Sequence, residues 1–210
     1  SPGARVNLDY GVFAYAGGVS RIEGTLKAFS PIELQQADAR IAHITFENNA
    51  NGMGGQGPID RLGRPANENY PFGNNASRGS TLFIRGTQPI VLGNIFQNNT
   101  GTAMTIDINS MDAKIRGDVG RQTGQIGRDL TSDANRGPLF RGNKLFNNGI
   151  NGLEVRADAT TNNLSEGVLS VRDLQRNSLS TESVWDDTDI VHVLFDSVTV
   201  TNLQHSGGLR

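Results

Sequence analysis

The chain has 210 residues with 26 Gly, 36% hydrophobic residues and no Cys, and its 19 basic and 21 acidic residues give a net charge of −2. This length can supply one domain with its own core, and the missing Cys exclude disulfides, thiol catalysis and Cys-ligated zinc. The balanced charge gives no cationic field that would attract phosphate backbones or anionic lipids. Since no apolar run reaches the roughly 18 residues of a membrane span, neither nucleic acid binding nor membrane insertion is expected.

Short alternating apolar runs recur along the whole chain. Alternation between clusters of turn-forming residues is typical of β-strands. The pattern predicts strands at residues 6–10, 12–15, 40–44, 81–85, 89–93, 103–108, 138–142, 152–156, 168–171, 190–195 and 198–200. Only residues 31–40 have helical propensity, and one such stretch cannot supply the helix that follows each strand in a βαβ fold. The sequence therefore predicts an all-β fold.

A repeat organises these strands. The motif Phe/Leu-x-Asn-Asn, with Gly shortly after it, occurs three times, and its Asn pairs lie 50 and 49 residues apart. Strands that recur in the same order between such turns are typical of a parallel β-solenoid, whose stacked coils bury one continuous core. Equivalent Asn side chains in successive coils would lie roughly 4.8 Å apart and form a hydrogen-bonded ladder. We expect this structural role for Asn48, Asn49, Asn98, Asn99, Asn147 and Asn148.

The three repeat units, together with the Gly-rich run at residues 8–18, resemble the right-handed parallel β-helix repeats of pectate-lyase-like proteins. Residues 181–194 are similar to segments of very large β-helix proteins from planctomycete and related bacteria. The resemblance implies a right-handed parallel β-helix and a secreted or cell-surface location. It covers about two thirds of the chain and implies no particular reaction.

Two long insertions are predicted at residues 53–80 and 110–136, because a 50-residue step exceeds the roughly 20–45 residues of ordinary solenoid repeats. Both are rich in Gly, Asn and Arg and lack sustained periodicity. Insertions on one face of a solenoid commonly form its binding face, and guanidinium groups there would bind carboxylated or sulfated sugars. The candidate ligand face consists of Arg61, Arg64, Tyr70, Arg116, Arg121 and Arg128. The alternative is a solvated surface held by internal salt bridges with nearby acids.

Three carboxylates before the strand at residues 190–195 are candidate ligands for Ca²⁺, which prefers hard oxygen donors. They are Asp186, Asp187 and Asp189. The alternative is a turn closed by Asp side chains. No other cofactor is expected.

The leading functional hypothesis is a noncatalytic extracellular β-helix module, structural or adhesive, within a large surface protein or filament. Residues 1–210 would then be a single segment of a longer chain or fibre, and its partners would be flanking coils or identical subunits stacked end to end. An enzyme is less favoured, since the Gly-His-Gly and Arg-Ile-Lys signatures of β-helix lyases and hydrolases are absent and no catalytic residues are assigned. A polysaccharide lyase or hydrolase remains the first alternative, with Arg141, Arg156, Asp107 and Glu154 as conceivable members of its site. A carbohydrate-binding module is the second.

Overall fold

A computed structural model describes residues 4–22, 25–35, 37–50, 80–111, 137–156, 178–179, 182–183, 185, 189–194, 198–200 and 208–209. These residues are mostly β-strand and include no α-helix. The elements are, in chain order, β1 (Arg5–Ala14), β2 (Gly18–Ile22), β3 (Thr25–Phe29), β4 (Ile32–Gln35), β5 (Asp38–Glu47), β6 (Ser80–Arg85), β7 (Ile90–Leu92), β8 (Ile95–Gln97), β9 (Thr102–Asp107), the 3₁₀ turn η1 (Ile108–Met111), β10 (Leu139–Arg141), β11 (Lys144–Phe146), β12 (Ile150–Arg156), β13 (Ser178–Leu179), β14 (Glu182–Ser183), β15 (His192–Leu194), β16 (Thr199–Val200) and β17 (Gly208–Leu209).

The first sheet contains the three Phe/Leu-x-Asn-Asn units on neighbouring parallel strands. β1 is at one edge and pairs with β5. On its other side β5 pairs with β7 and β8, which lie end to end, and these pair in turn with β10 and β11. Phe46 of β5 is in register with Phe96 of β8, and Phe96 with Leu145 of β11. The repeat step in the sequence is therefore the step from one strand to its neighbour in this sheet.

The second sheet is also parallel, with the order β4, β6, β9, β12, β15. The chain alternates between the two sheets from β4 to β12, so each repeat adds one strand position to each of them. Leu82 of β6 is in register with Met104 of β9, which is 22 residues further along (104 − 82). Two of the other three steps, from Ile32 to Leu82 and from Met104 to Leu153, span 50 and 49 residues. The predicted insertions account for this difference in sequence length; apart from Ser80 in β6 and Ser110 and Met111 in η1, they lie outside the described residues.

Apolar side chains from both sheets form one core. The first sheet contributes a row of rings, with Phe13 and Phe46 centroids 5.6 Å apart and Phe46 and Phe96 centroids 4.6 Å apart. Rows of aliphatic residues from β6, β9 and β12, such as Ile84, Ile106 and Val155, belong to the same buried cluster. Alternate residues enter the core because successive side chains of a strand point to opposite faces.

The remaining pairings are smaller. Strands β2 and β3 form an antiparallel hairpin, and β13 with β16 and β14 with β17 form short parallel pairs. Residues 31–40, where the sequence has helical propensity, contribute β4 and the start of β5 because their Ile and Leu side chains are recruited into the sheets. Tertiary packing overrides a weak helix preference there.

Candidate functional site

The second Asn of each repeat lies in one hydrogen-bonded row. Asn49 Nδ2 donates to Asn99 Oδ1 at 2.9 Å, and Asn99 Nδ2 donates to Asn148 Oδ1 at 2.7 Å. The same oxygens accept the backbone N–H of the preceding Asn, at 3.0 Å for Asn49 and 3.1 Å for Asn99. Asn49 and Asn99 are almost completely buried. Each amide thus satisfies buried backbone groups as well as its neighbour in the row.

Each Asn of the row also donates a hydrogen bond to a backbone carbonyl of the neighbouring strand that precedes it in the sequence. Asn49 Nδ2 donates to the Phe13 carbonyl at 2.9 Å, and Asn99 Nδ2 donates to the Phe46 carbonyl at 3.1 Å. Asn148 Nδ2 repeats this contact with the Phe96 carbonyl at 2.9 Å. Since the accepting carbonyl belongs to the neighbouring strand on the N-terminal side, Asn49 and Asn99 each link three neighbouring repeat units of the sheet.

The first Asn of each repeat has a different task, which is to turn the backbone. Positive φ values form a line across the sheet at Tyr15 (56°), Asn48 (52°), Asn98 (56°) and Asn147 (55°). This left-handed conformation is open to Asn at little strain, whereas a bulky side chain such as Tyr rarely adopts it. Asn98 and Asn147 are exposed, and Asn147 Nδ2 donates to Asn98 Oδ1 at 2.6 Å.

A second bend and a second Asn row occur five residues earlier in each unit. The bend contains Tyr10, His43, Gly93 and Gly142, with φ between 53° and 65°. Directly after it, Asn94 Nδ2 donates to Asn143 Oδ1 at 2.9 Å, and both residues are buried. This row is not among the predicted residues, although Gly-Asn recurs at 93–94 and 142–143 with the spacing of the predicted ladder. The first unit has His43-Ile44 at these positions, so that only two of three units show the signal.

The Asn row has a terminus within the chain. Asn151 Oδ1 accepts both the backbone N–H and the Nδ2 of Asn148, at 3.0 and 2.9 Å. Asn151 therefore takes the place that an Asn of a further layer would have. Nearby, Asp189 Oδ2 accepts the backbone N–H of Gly142 at the edge of the first sheet.

Only one of the three predicted calcium ligands, Asp189, lies among the described residues, so the calcium site stays a prediction. Asp186 and Asp187 lie outside the described residues, and Asp189 forms the contact to Gly142. The described residues contain no group of three or more His, Asp and Glu side chains placed to hold a metal ion. The candidate ligand face of Arg61, Arg64, Tyr70, Arg116, Arg121 and Arg128 lies wholly outside the described residues.

Three of the four conceivable catalytic residues meet on the second sheet. Glu154 and Arg156 lie on β12, with Arg156 Nε 4.0 Å from Glu154 Oε1, and Asp107 of β9 is in register with Arg156. Glu154 is 1% exposed and accepts a hydrogen bond from Thr102 Oγ1 at 3.0 Å. Arg141 is exposed on β10 of the other sheet. Glu154 and Arg156 are therefore enclosed between strands, whereas Asp107 is partly exposed.

An exposed cluster of charged side chains lies at the β1 edge of the first sheet. Asp9 Oδ2 is 2.8 Å from Arg40 Nη1, and Asp9 Oδ1 is 2.8 Å from His43 Nδ1. The hydrogen bonds from His43 and Arg40 hold the pKa of Asp9 below its ordinary value of 3.8. The Tyr10 ring stacks on the His43 ring at 4.6 Å, and Tyr10 and Tyr15 are 78% and 83% exposed. β1 pairs with β5, and no described strand pairs with its other side.

A second described His lies on β15, at one edge of the second sheet. His192 of β15 stacks on Trp185 with centroids 5.0 Å apart, and Trp185 Nε1 donates to Ser183 Oγ at 2.7 Å. Burial lowers the pKa of His192 from its ordinary value of 6.5, because desolvation disfavours the imidazolium.

Comparison of this chain with known protein families, with curated proteins and with solved structures found no match. No helix in the described part of the chain is long and apolar enough to cross a membrane.

Proposed function

We propose that this chain is a noncatalytic structural or adhesive module with a right-handed parallel β-helix fold. The observation that carries the proposal is the row Asn49–Asn99–Asn148, which bonds successive parallel layers. The chain alternates between two parallel sheets and adds one strand position to each sheet at every repeat, which supports the helical winding. The buried Asn amides, the stacked Phe rings and the aliphatic rows all join neighbouring strands of the two sheets. A structural scaffold built from repeats needs such contacts between each repeat and the next.

The proposal includes a secreted or cell-surface setting and membership of a longer protein or filament whose copies meet through an end of the stack. The open edge of β1 supports the second part, since an unpaired strand edge is a template for another chain. Negative-stain electron microscopy of the purified chain tests it: particles that join through stack ends are expected. Isolated particles without end contacts at any concentration would contradict self-association.

A polysaccharide lyase or hydrolase is the second candidate, and the grouping of Asp107, Glu154 and Arg156 favours it. The almost complete burial of Glu154 argues for the structural role instead, because a polymer substrate must reach the acid. Incubation with acidic polysaccharides, with and without Ca²⁺, separates the two. We expect no new unsaturated or reducing ends; products that disappear in Glu154→Gln would overturn the noncatalytic proposal.

A carbohydrate-binding module without turnover is the third candidate, favoured by the exposed rings of Tyr10 and Tyr15. Binding of an oligosaccharide that is lost in Tyr10→Ala and Tyr15→Ala, without any product, would select it.

A further inference from the structure

The two edges of the first sheet differ in how they are capped. At the β10 and β11 edge, Asn151 occupies the next position of the Asn row and Asp189 accepts the Gly142 N–H. At the β1 edge the described residues provide no such cap, and Tyr10, Val12 and Tyr15 are 78%, 64% and 83% exposed. A head-to-tail contact needs both edges, whereas a two-fold contact needs only the β1 edge of each copy.

The residues of β1 before the bend are self-complementary. Arg5, Asn7 and Asp9 are exposed, while Val6 and Leu8 are partly buried and pack against the core. In an antiparallel pairing centred on Asn7, Arg5 of one copy lies opposite Asp9 of the other, and Val6 lies opposite Leu8. Opposite charges would meet on the outer face and apolar side chains on the inner face, both of which stabilise cross-strand pairs.

The surroundings of this segment fit such a partner. The Asp9 side chain keeps 36% exposure beside Arg40 and His43, which leaves room for a further guanidinium. Tyr10, with φ of 53°, bends the strand immediately after Asp9 and limits the flat run to residues 5–9.

From these observations we propose that a second copy of this chain pairs antiparallel with β1 through Arg5–Asp9, centred on Asn7, and forms a two-fold dimer. This inference rests on the proposed scaffold function and identifies the partner and register of its open end.

A single introduced thiol tests the register, because the chain has no Cys of its own. Residues directly opposite in an antiparallel pair have Cα atoms about 4.5–5.5 Å apart, within the disulfide range of about 4.4–6.8 Å. Asn7→Cys in the full chain should form a disulfide-linked dimer under mild oxidation at least about tenfold faster than Val12→Cys, the matched control on the same strand. Equal rates, or a faster Val12→Cys, would overturn the register.

Sedimentation of the unmodified chain tests the dimer itself. We expect a monomer–dimer equilibrium at micromolar concentrations, and a dissociation constant at least about tenfold weaker in Arg5→Glu, which places two carboxylates opposite each other. A monomer at all concentrations, or a series of oligomers larger than the dimer, would overturn the proposal. The urea midpoint of each variant is the control for folding. A monomeric chain in which Asn99→Ala still lowers the stability contradicts the dimer and leaves the scaffold proposal standing. If Asn99→Ala does not lower the stability, the scaffold proposal itself loses its support.

Discussion

Replacing Asn99 by Ala is expected to lower the free energy of unfolding by about 3 kcal/mol. The Asn99 side chain accepts hydrogen bonds from the Asn49 backbone N–H at 3.0 Å and from Asn49 Nδ2 at 2.9 Å. It also donates to Asn148 Oδ1 at 2.7 Å and to the Phe46 carbonyl at 3.1 Å. Each hydrogen bond contributes about 0.5–1.5 kcal/mol of net stability, so the four contacts together give about 2–6 kcal/mol, and the expected loss lies within this range.

The preceding residue provides the matched control. Asn98 is exposed and has φ of 56°, a conformation that Gly adopts without strain. Asn98→Gly should therefore change stability by about 1 kcal/mol or less, although it removes the same kind of side chain one position away.

Urea unfolding followed by circular dichroism measures both variants, with the slope of the transition as a check that the same surface is exposed. A loss of less than about 1 kcal/mol of unfolding free energy in Asn99→Ala, or a loss no larger than that in Asn98→Gly, would refute this expectation. Either result would mean that the Asn row does not hold the layers together, and the scaffold proposal would lose its main support.

Three further outcomes follow from the packing. Phe96→Ala, which removes a buried ring stacked 4.6 Å from Phe46, should cost about 3–5 kcal/mol of unfolding free energy, and Phe96→Leu clearly less. Gly149→Ala should lower the urea midpoint because its Cβ would lie 2.6 Å from the Thr100 carbonyl oxygen; an unchanged midpoint would show that the two neighbouring turns separate easily. The lowered pKa of His192 means that the folded state holds the neutral imidazole, so the stability it provides is complete above pH 6.5 and is lost as pH falls through the lower folded pKa. Melting temperatures between pH 7.5 and 4.5 should therefore fall less steeply in His192→Phe, and parallel curves would contradict this assignment.

Sequence periodicity was sufficient to predict the β-rich fold and the register of the first sheet. The 50- and 49-residue spacing of the Asn pairs equals the strand-to-strand step, because residues with the same conformational task recur at the same place in each layer. The second Asn row was missed since His43 and Ile44 replace Gly-Asn in the first unit, so the pattern lacks one of its three members. The candidate ligand face and two of the three calcium candidates lie outside the described residues and stay predictions.

The sequence by itself determined which residues can bend the backbone and which can stack. Asn and Gly tolerate the left-handed conformation, and alternating apolar residues need a common core. Only the tertiary structure decided that Glu154 is enclosed beside Arg156 while Arg141 is exposed on the other sheet, because this depends on which strands become neighbours. It also decided that the Asn row ends at Asn151 and that no described strand pairs with the outer side of β1. Capping and exposure depend on the position of a strand in its sheet, and the repeat in the sequence is the same for an inner strand and for an edge strand.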